Sequence, residues 1–273
     1  MNITKESILD DLANDRLPIP TLPEVALRVR DTVEDENSTL MDVAKIIETD
    51  PSLSARIIQV GNSALYRGTN PAEHVHAAVM RMGLNTVRNI ATSLVMKQLF
   101  QATNPVVDKY LRNTWKLSTD VAAFSAVLAQ MTPGIDSDSA LLAGLTHSIG
   151  ISPILVLAET DPVLLNDVAA LDALIHDIHP HVGVAILQSW DFLPELTEVP
   201  EQCLNLSHEP ANGQADYADL VQAALIQTAG ESHVLGGIDS SQSASMRRLG
   251  LAEGIDEIEM AGGVQEVKDV LLS

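Results

Sequence analysis

The stretch from Val106 to Met131 is the part of the sequence that most restricts the fold. Its large apolar residues recur at helical spacing and form one stripe: Leu111, Trp115, Leu117, Val121, Phe124 and Leu128. Asn104-Pro105 breaks the preceding pattern, so a new long helix is expected to begin there. A helix of this length buries its apolar stripe against other helices, and the stretch therefore predicts a helical core.

Signals for further helices occur along the rest of the chain. Thr39 with Asp42 repeats the capping pattern that Thr21 and Glu24 suggest, and Asp50-Pro51 has the order of an N-cap and a first-turn proline. We also expect a break between Gly150 and Pro153, a helix boundary at Pro180, and an exposed loop over residues 236–248.

Composition supports an all-α fold. The chain is 46% hydrophobic but only 3% aromatic, which fits helices packed through Ala, Leu, Ile and Val, and no segment alternates long enough to predict a half-buried strand. With 273 residues the chain exceeds the usual size of one domain. We therefore predict a two-lobed, multi-helix architecture, with one lobe over residues 1–104 and a second over residues 105–273.

Charge excludes some classes of partner. Lys and Arg total 16 against 37 Asp and Glu, giving a formal net charge of -21, and no basic tract is present. Nucleic acid and anionic membranes are both bound through cationic surface, so we expect neither as a partner. The single cysteine, Cys203, excludes an intrachain disulfide, and no apolar signal segment or membrane span is evident, so a cytoplasmic location is expected.

A family resemblance covers residues 17–102 closely and the remainder more weakly. It is carried by Leu-Pro-Glu-Val at 22–25, Asp50-Pro51, Gly-Asn-Ser at 61–63 and Met-Gly-Leu-Asn at 82–85. In order and spacing these motifs resemble the HD-related output domain, HDOD, of bacterial signalling proteins. The resemblance implies an N-terminal helical lobe joined to a lobe related to HD phosphohydrolases, which use histidines and aspartates to hold a metal that generates hydroxide.

Position by position, the resemblance implies that this metal site is degenerate. Leu117 stands where the first histidine is expected, the His-Asp pair corresponds to His147-Ser148, and Leu225 lies near the position of the last aspartate. A serine hydroxyl does not supply the anionic oxygen that bridges hard cations. His179 and His208 match later histidines of the pattern.

His147, His179 and His208 are therefore the remnant candidates for metal ligation. Three imidazoles and a water are a legitimate zinc site, so a single divalent transition metal is the open alternative. Histidines on helices are more often packed core or surface residues, and we expect no catalytic residue, no cofactor and no metal.

These features predict a non-catalytic signalling or regulatory scaffold that binds a protein partner. A small ligand or peptide is expected in the cleft between the lobes, near the three histidines, because pockets favour domain junctions. The alternative is a metal-dependent phosphohydrolase with altered ligands, acting on a nucleotide or cyclic dinucleotide. A direct nucleic-acid regulator is disfavoured because the sequence lacks a basic stripe.

Overall fold

The computed structural model describes residues 3–14, 16–63, 65–66, 68–230, 233–251 and 263–272. Within these ranges every regular element is a helix, which confirms the all-α prediction. The α-helices are α1 (Lys5–Ala13), α2 (Glu24–Glu34), α3 (Leu40–Ile47), α4 (Pro51–Gly61), α5 (Val75–Met82), α6 (Leu84–Val95), α7 (Pro105–Met131), α8 (Ser137–Thr146), α9 (Ile151–Ala158), α10 (Pro162–Asn166), α11 (Val168–Ser189), α12 (Pro194–Thr197), α13 (Val199–Gln202), α14 (Tyr217–Thr228), α15 (Ala244–Arg248) and α16 (Gly263–Leu272).

The chain divides into two compact units. The larger comprises Met1–Thr21 with Gln98–Asp256, and the smaller comprises Leu22–Lys97 with Glu257–Ser273. This division differs from the predicted boundary after residue 104, because residues 98–104 join the larger unit and 257–273 the smaller. Residues 1–21 also belong to the larger unit. The reason is packing, because α1 lies on α11 with Ile8 buried, and the Trp190 indole Nε1 donates to the Pro20 carbonyl oxygen at 3.0 Å.

In the smaller unit, the Gly-Asn-Ser turn at 61–63 sets the spacing between α4 and α5. A Cβ on Gly61 would lie 2.9 Å from the Ala78 Cβ, so glycine permits the close approach of the two helices. The Asn62 side chain donates to the Ala72 carbonyl at 2.8 Å and accepts from the Ala72 amide at 2.7 Å. This pair of bonds fixes the loop that joins the helices.

In the larger unit, α7 packs along α8 and α14 and carries most of the core. Asn104 caps its N-terminus by accepting hydrogen bonds from the amides of Val106 and Val107, and Pro105 occupies the first turn. The second half of α7, residues 121–129, is buried throughout because helices cover it on more than one side. Of the site residues predicted from the sequence, Leu117, His179 and Leu225 lie on α7, α11 and α14. His147 and Ser148 lie in the turn after α8, and His208 lies between α13 and α14.

Pro180 lies inside α11, so the predicted helix boundary there is wrong. The helix runs for 22 residues from Val168 to Ser189, and Pro180 itself is buried. A proline within a helix removes one backbone hydrogen bond, but the apolar face of α11 is packed on both sides of this position, with Ile178 and Val182 fully buried. Tertiary packing therefore outweighs the local preference to end the helix.

By composition and length, the segment Ser137–Ala158 is apolar and long enough to cross a membrane. Its mean hydropathy is 1.8, yet 83% of the window is buried inside the protein. The chain also turns at residues 147–150, between α8 and α9. The segment is accounted for as two core helices of the larger unit.

Candidate functional site

The turn that contains His147 is held by two close helix contacts. A Cβ on Gly144 would lie 2.4 Å from the Ala122 Cα of α7, and a Cβ on Gly150 would lie 2.1 Å from the His179 carbonyl oxygen of α11. Only glycine allows backbones to approach this closely. The glycines that bound the motif at 144–150 therefore position His147 and Ser148 between α7 and α11.

His147 is buried and uses one ring nitrogen within its own turn. Its Nδ1 donates to the Gly144 carbonyl oxygen at 2.6 Å, and its side chain is among the least exposed polar groups of the unit. Burial lowers the pKa of His147 to about 4, against a smaller opposing effect of this hydrogen bond. The ring is therefore neutral at physiological pH.

Ser148 lies where the resemblance places the metal-binding aspartate, and it is paired with another hydroxyl. Its Oγ is 2.8 Å from the Ser118 Oγ of α7, and both residues are buried. Leu117 is half-buried beside Ser118, while Leu225 on α14 is fully buried. The three expected ligand positions therefore hold two aliphatic side chains, Leu117 and Leu225, and one hydroxyl that is already hydrogen-bonded.

Among the three candidate histidines, His179 is the one with a buried ring nitrogen that lacks a hydrogen-bond partner in the described residues. It is buried in α11, and its Nδ1 has no hydrogen-bond partner within the described part of the chain. Burial, followed by the proximity of His147 and then of His176 and His233, lowers the pKa of His179 to about 3. His147 and His179 thus interact electrostatically with each other, and His179 also with three further histidines, His176, His181 and His233.

His208 belongs to a separate network at the start of α14. Its Nε2 donates to Asp216 Oδ2 at 2.8 Å, and the side-chain oxygen Oε1 of Gln202 lies 3.2 Å from its Nδ1. Asp216 also caps α14 through a capping box with Asp219. Asp219 is fully buried and accepts from the Arg248 guanidinium at 2.5 Å.

The three candidate histidines are not gathered as one set of ligands. Within the described residues, the one group of three possible ligand side chains whose donor atoms lie within 4.8 Å of one another is His208, Asp216 and Asp219. The Arg248 guanidinium already neutralises Asp219 in that group, and a metal cation there would meet its positive charge. This arrangement fits an ion-paired helix cap better than a metal centre.

The residues present do not fit the metal centre of an HD hydrolase. Leu117 and Leu225 offer no ligand atom, and Ser148 is bonded to Ser118. His147 donates its Nδ1 to a carbonyl, which leaves Nε2 as the one ring nitrogen that could still bind a metal. Sequence reasoning missed Ser118, because its contact with Ser148 crosses 30 positions of the chain. It also missed His233 and Arg248, since no local pattern signals either contact.

Comparison with known proteins now identifies the family. The model of the HDOD domain matches residues 19–205, more than half of the chain. This protein belongs to the HDOD family. Among curated proteins no sequence matches this chain.

Solved structures extend the likeness over nearly the whole chain. A proposed metal-dependent phosphohydrolase from Shewanella amazonensis SB2B is 35% identical, with a TM-score of 0.88 over 98% of this chain and 97% of that one. An HDOD domain protein of unknown function from Geobacter sulfurreducens is 20% identical, with a TM-score of 0.67 over 98% of each chain. A proposed signal transduction protein from Marinobacter aquaeolei VT8 is 23% identical, with a TM-score of 0.59 over 98% of this chain and 66% of that one.

Proposed function

We propose that this HDOD protein is a non-catalytic regulatory protein that acts by binding a protein partner. The single observation that carries the proposal is the buried pair of hydroxyls on Ser118 and Ser148, 2.8 Å apart at the position of the HD aspartate. Each hydroxyl satisfies the other, so neither needs a metal or a substrate to compensate its burial. The proposal includes a degenerate metal site and a cytoplasmic location.

Neighbouring side chains support the same conclusion. Leu225 is fully buried at the position of the last aspartate, where an unpaired carboxylate would be costly to desolvate. His208 is engaged by Asp216, and its backbone carbonyl accepts from Arg248 at 2.9 Å. These groups stabilise the fold of the larger unit through contacts that metal ligation would break.

Phosphoester hydrolysis tests the proposal. The full chain is assayed with nucleoside phosphates, cyclic dinucleotides and an aryl phosphate in the presence of Mg²⁺, Mn²⁺, Zn²⁺ or Ni²⁺, beside a His147→Asn variant. Asn keeps a donor for the Gly144 carbonyl but removes the imidazole. We expect the parent to show no more turnover than the His147→Asn variant. Metal-dependent turnover by the parent would refute the proposal if both a chelator and the substitution abolish it.

The second candidate is a metal-dependent phosphohydrolase with altered ligands, acting on a nucleotide or cyclic dinucleotide. Two observations favour it: the buried Nδ1 of His179 without a partner in the described residues, and the 35% identity to a proposed metal-dependent phosphohydrolase. A His179→Leu variant separates the two functions. Loss of hydrolysis in this variant supports the enzyme, whereas the regulatory protein has no activity to lose.

A further inference from the structure

A long central segment of the chain contains no Lys or Arg. All 16 Lys and Arg lie within residues 1–116 and 247–273, whereas residues 117–246 contain 17 Asp and Glu and no Lys or Arg. This cation-free segment lies wholly in the larger unit. Any surface built only from it offers a partner negative charge and apolar groups.

One such surface is also unusually apolar. Val163 is 82% exposed, Val168 57% and Val156 48%. They lie on three consecutive helices, and α10 packs against both α9 and α11. We call this surface the valine patch; it consists of Val156, Pro162, Val163, Val168, Ala169 and Ala170, of which all are exposed.

The composition of the valine patch is unfavourable for a face that stays in water. Isolated exposed apolar residues are ordinary, but here Val156, Val163 and Val168 fall within a short stretch of chain. Valine is also stiff at χ1 and a weaker helix former than the Glu, Lys or Gln that solvated helix positions usually carry. Neither solvation nor helix propensity therefore explains these valines.

Carboxylates lie close to the valine patch along the chain. Asp161 and Asp167 cap α10 and α11, and Glu159 ends α9. Asp172 lies in α11 and accepts from the Tyr110 hydroxyl at 3.1 Å. Backbone hydrogen bonds, led by that from Leu164, hold the pKa of Asp161 below its usual range, so this side chain is ionised at neutral pH. Asp161 also accepts a hydrogen bond from the Ile3 backbone, and Lys5 of α1 pairs with Asp177 of α11 at 3.3 Å.

We propose that the valine patch docks a cationic amphipathic helix of a partner protein. The apolar face of that helix covers the valines, and its Lys and Arg residues meet the nearby carboxylates. The inference rests on the proposed function, which it deepens by naming the surface and the chemistry of the partner. Anionic lipid and nucleic acid are repelled by the same carboxylates.

A synthetic helix tests the charge and the apolar requirement together. The probe is a fluorescent peptide of about five helical turns with a Leu face flanked by Lys, and the charge control has Glu in place of every Lys. Binding to the full-length protein is measured by fluorescence anisotropy at low and at moderate salt. We expect the Lys peptide to bind and the Glu peptide not to bind.

Two variants probe the patch while keeping the fold. Val163→Gln with Val168→Gln removes the apolar centre from exposed positions and is expected to weaken binding by at least about tenfold. Asp161→Asn with Asp167→Asn removes two charges, yet Asn caps helices as well as Asp does. We expect this second variant to weaken binding several-fold at low salt and by less at moderate salt.

Matched controls change the same properties elsewhere. Met131→Gln removes an apolar side chain that is 66% exposed at the end of α7. Glu34→Gln with Glu36→Gln removes two exposed charges from the smaller unit, in which both residues lie. Binding is expected to be unchanged in both controls.

The inference is overturned if the Lys peptide does not bind, if the patch variants bind it as tightly as the parent, or if the controls weaken it equally. Hydrolysis is assayed on the same preparations. Metal-dependent turnover refutes the proposed function whatever the peptide does. If the protein shows no turnover and the patch variants bind the peptide as tightly as the parent does, only the docking surface is refuted.

Discussion

Acidification is expected to destabilise the protein through two buried histidines. The pKa of His147 is lowered from 6.5 to about 4 and that of His179 from 6.5 to about 3, in both cases mainly by burial. The unfolded chain therefore binds protons at a higher pH than the folded chain does. The two neutral rings contribute their full stability above pH 6.5, which is the pKa in the unfolded chain. This stability is lost as the pH falls towards the pKa values of the folded chain.

The size of the effect at pH 5 follows from the unfolded state. Because both folded pKa values lie below 5, each ring loses the free energy that corresponds to the interval between 6.5 and the solution pH. At pH 5 this is about 2 kcal/mol for each histidine and about 4 kcal/mol for both, at 1.36 kcal/mol per pH unit. Carboxylates with lowered pKa, such as Asp42 at about 2, lose their contribution in a more acidic range.

Urea denaturation at pH 8 and pH 5, followed by circular dichroism, measures the loss. A double variant, His147→Asn with His179→Leu, removes both titrating rings while leaving a donor for the Gly144 carbonyl. Between pH 8 and pH 5, the free energy of unfolding of the parent is expected to fall by about 4 kcal/mol more than that of this variant. A control variant at an exposed histidine, His74→Asn, should lose as much stability as the parent. Equal losses in the parent and the double variant would show that His147 and His179 do not cause the acid sensitivity.

Three further predictions concern stability and are read from urea denaturation at pH 8. Gly150→Ala is expected to cost more than about 3 kcal/mol, because its Cβ would collide with the backbone of α11. Ser148→Ala is expected to cost about 1 to 2 kcal/mol by leaving the Ser118 hydroxyl unpaired, whereas replacing both serines by alanine costs less than the sum of the single changes. Arg248→Met is expected to cost about 3 to 5 kcal/mol by leaving the buried Asp219 without its cation, and adding Asp219→Asn should recover part of the loss.

Local patterns in the sequence predicted much of the fold. The long helix was expected over 106–131 and is observed as Pro105–Met131, because its apolar stripe and the preceding Asn-Pro pair are both local signals. The capping box of Thr39 with Asp42 and the Asp50-Pro51 start of α4 are also confirmed. The helix expected from Thr21 instead begins at Glu24, since Pro23 has an extended backbone and disfavours helix in the residue before it.

Errors arise where tertiary contacts outweigh composition. Residues 236–248 are small and polar, yet the expectation of an exposed loop was wrong for their second half, where Ser243 and Met246 are buried within or beside α15. The Ser243 hydroxyl donates to Gln222 at 2.6 Å and so ties this segment to α14. Such partners lie too far apart along the chain for any local pattern to reveal them.

The candidate site was predictable only in part. Family resemblance located Ser148 and Leu225, and both are buried in the larger unit. It did not reveal that Ser118 completes a hydroxyl pair with Ser148, or that His208 is engaged by Asp216. The burial of His179 without a partner for Nδ1 in the described chain is likewise a property of packing rather than of sequence.

Metal content distinguishes a degenerate histidine site from a working one. The full-length, untagged protein is purified without chelator and its metals are measured by elemental mass spectrometry, beside His147→Asn and His179→Leu variants. We expect less than about a tenth of an equivalent of any transition metal in all three proteins. A stoichiometric metal in the parent that either variant loses would contradict this expectation, because the remaining histidines would then form a working metal site.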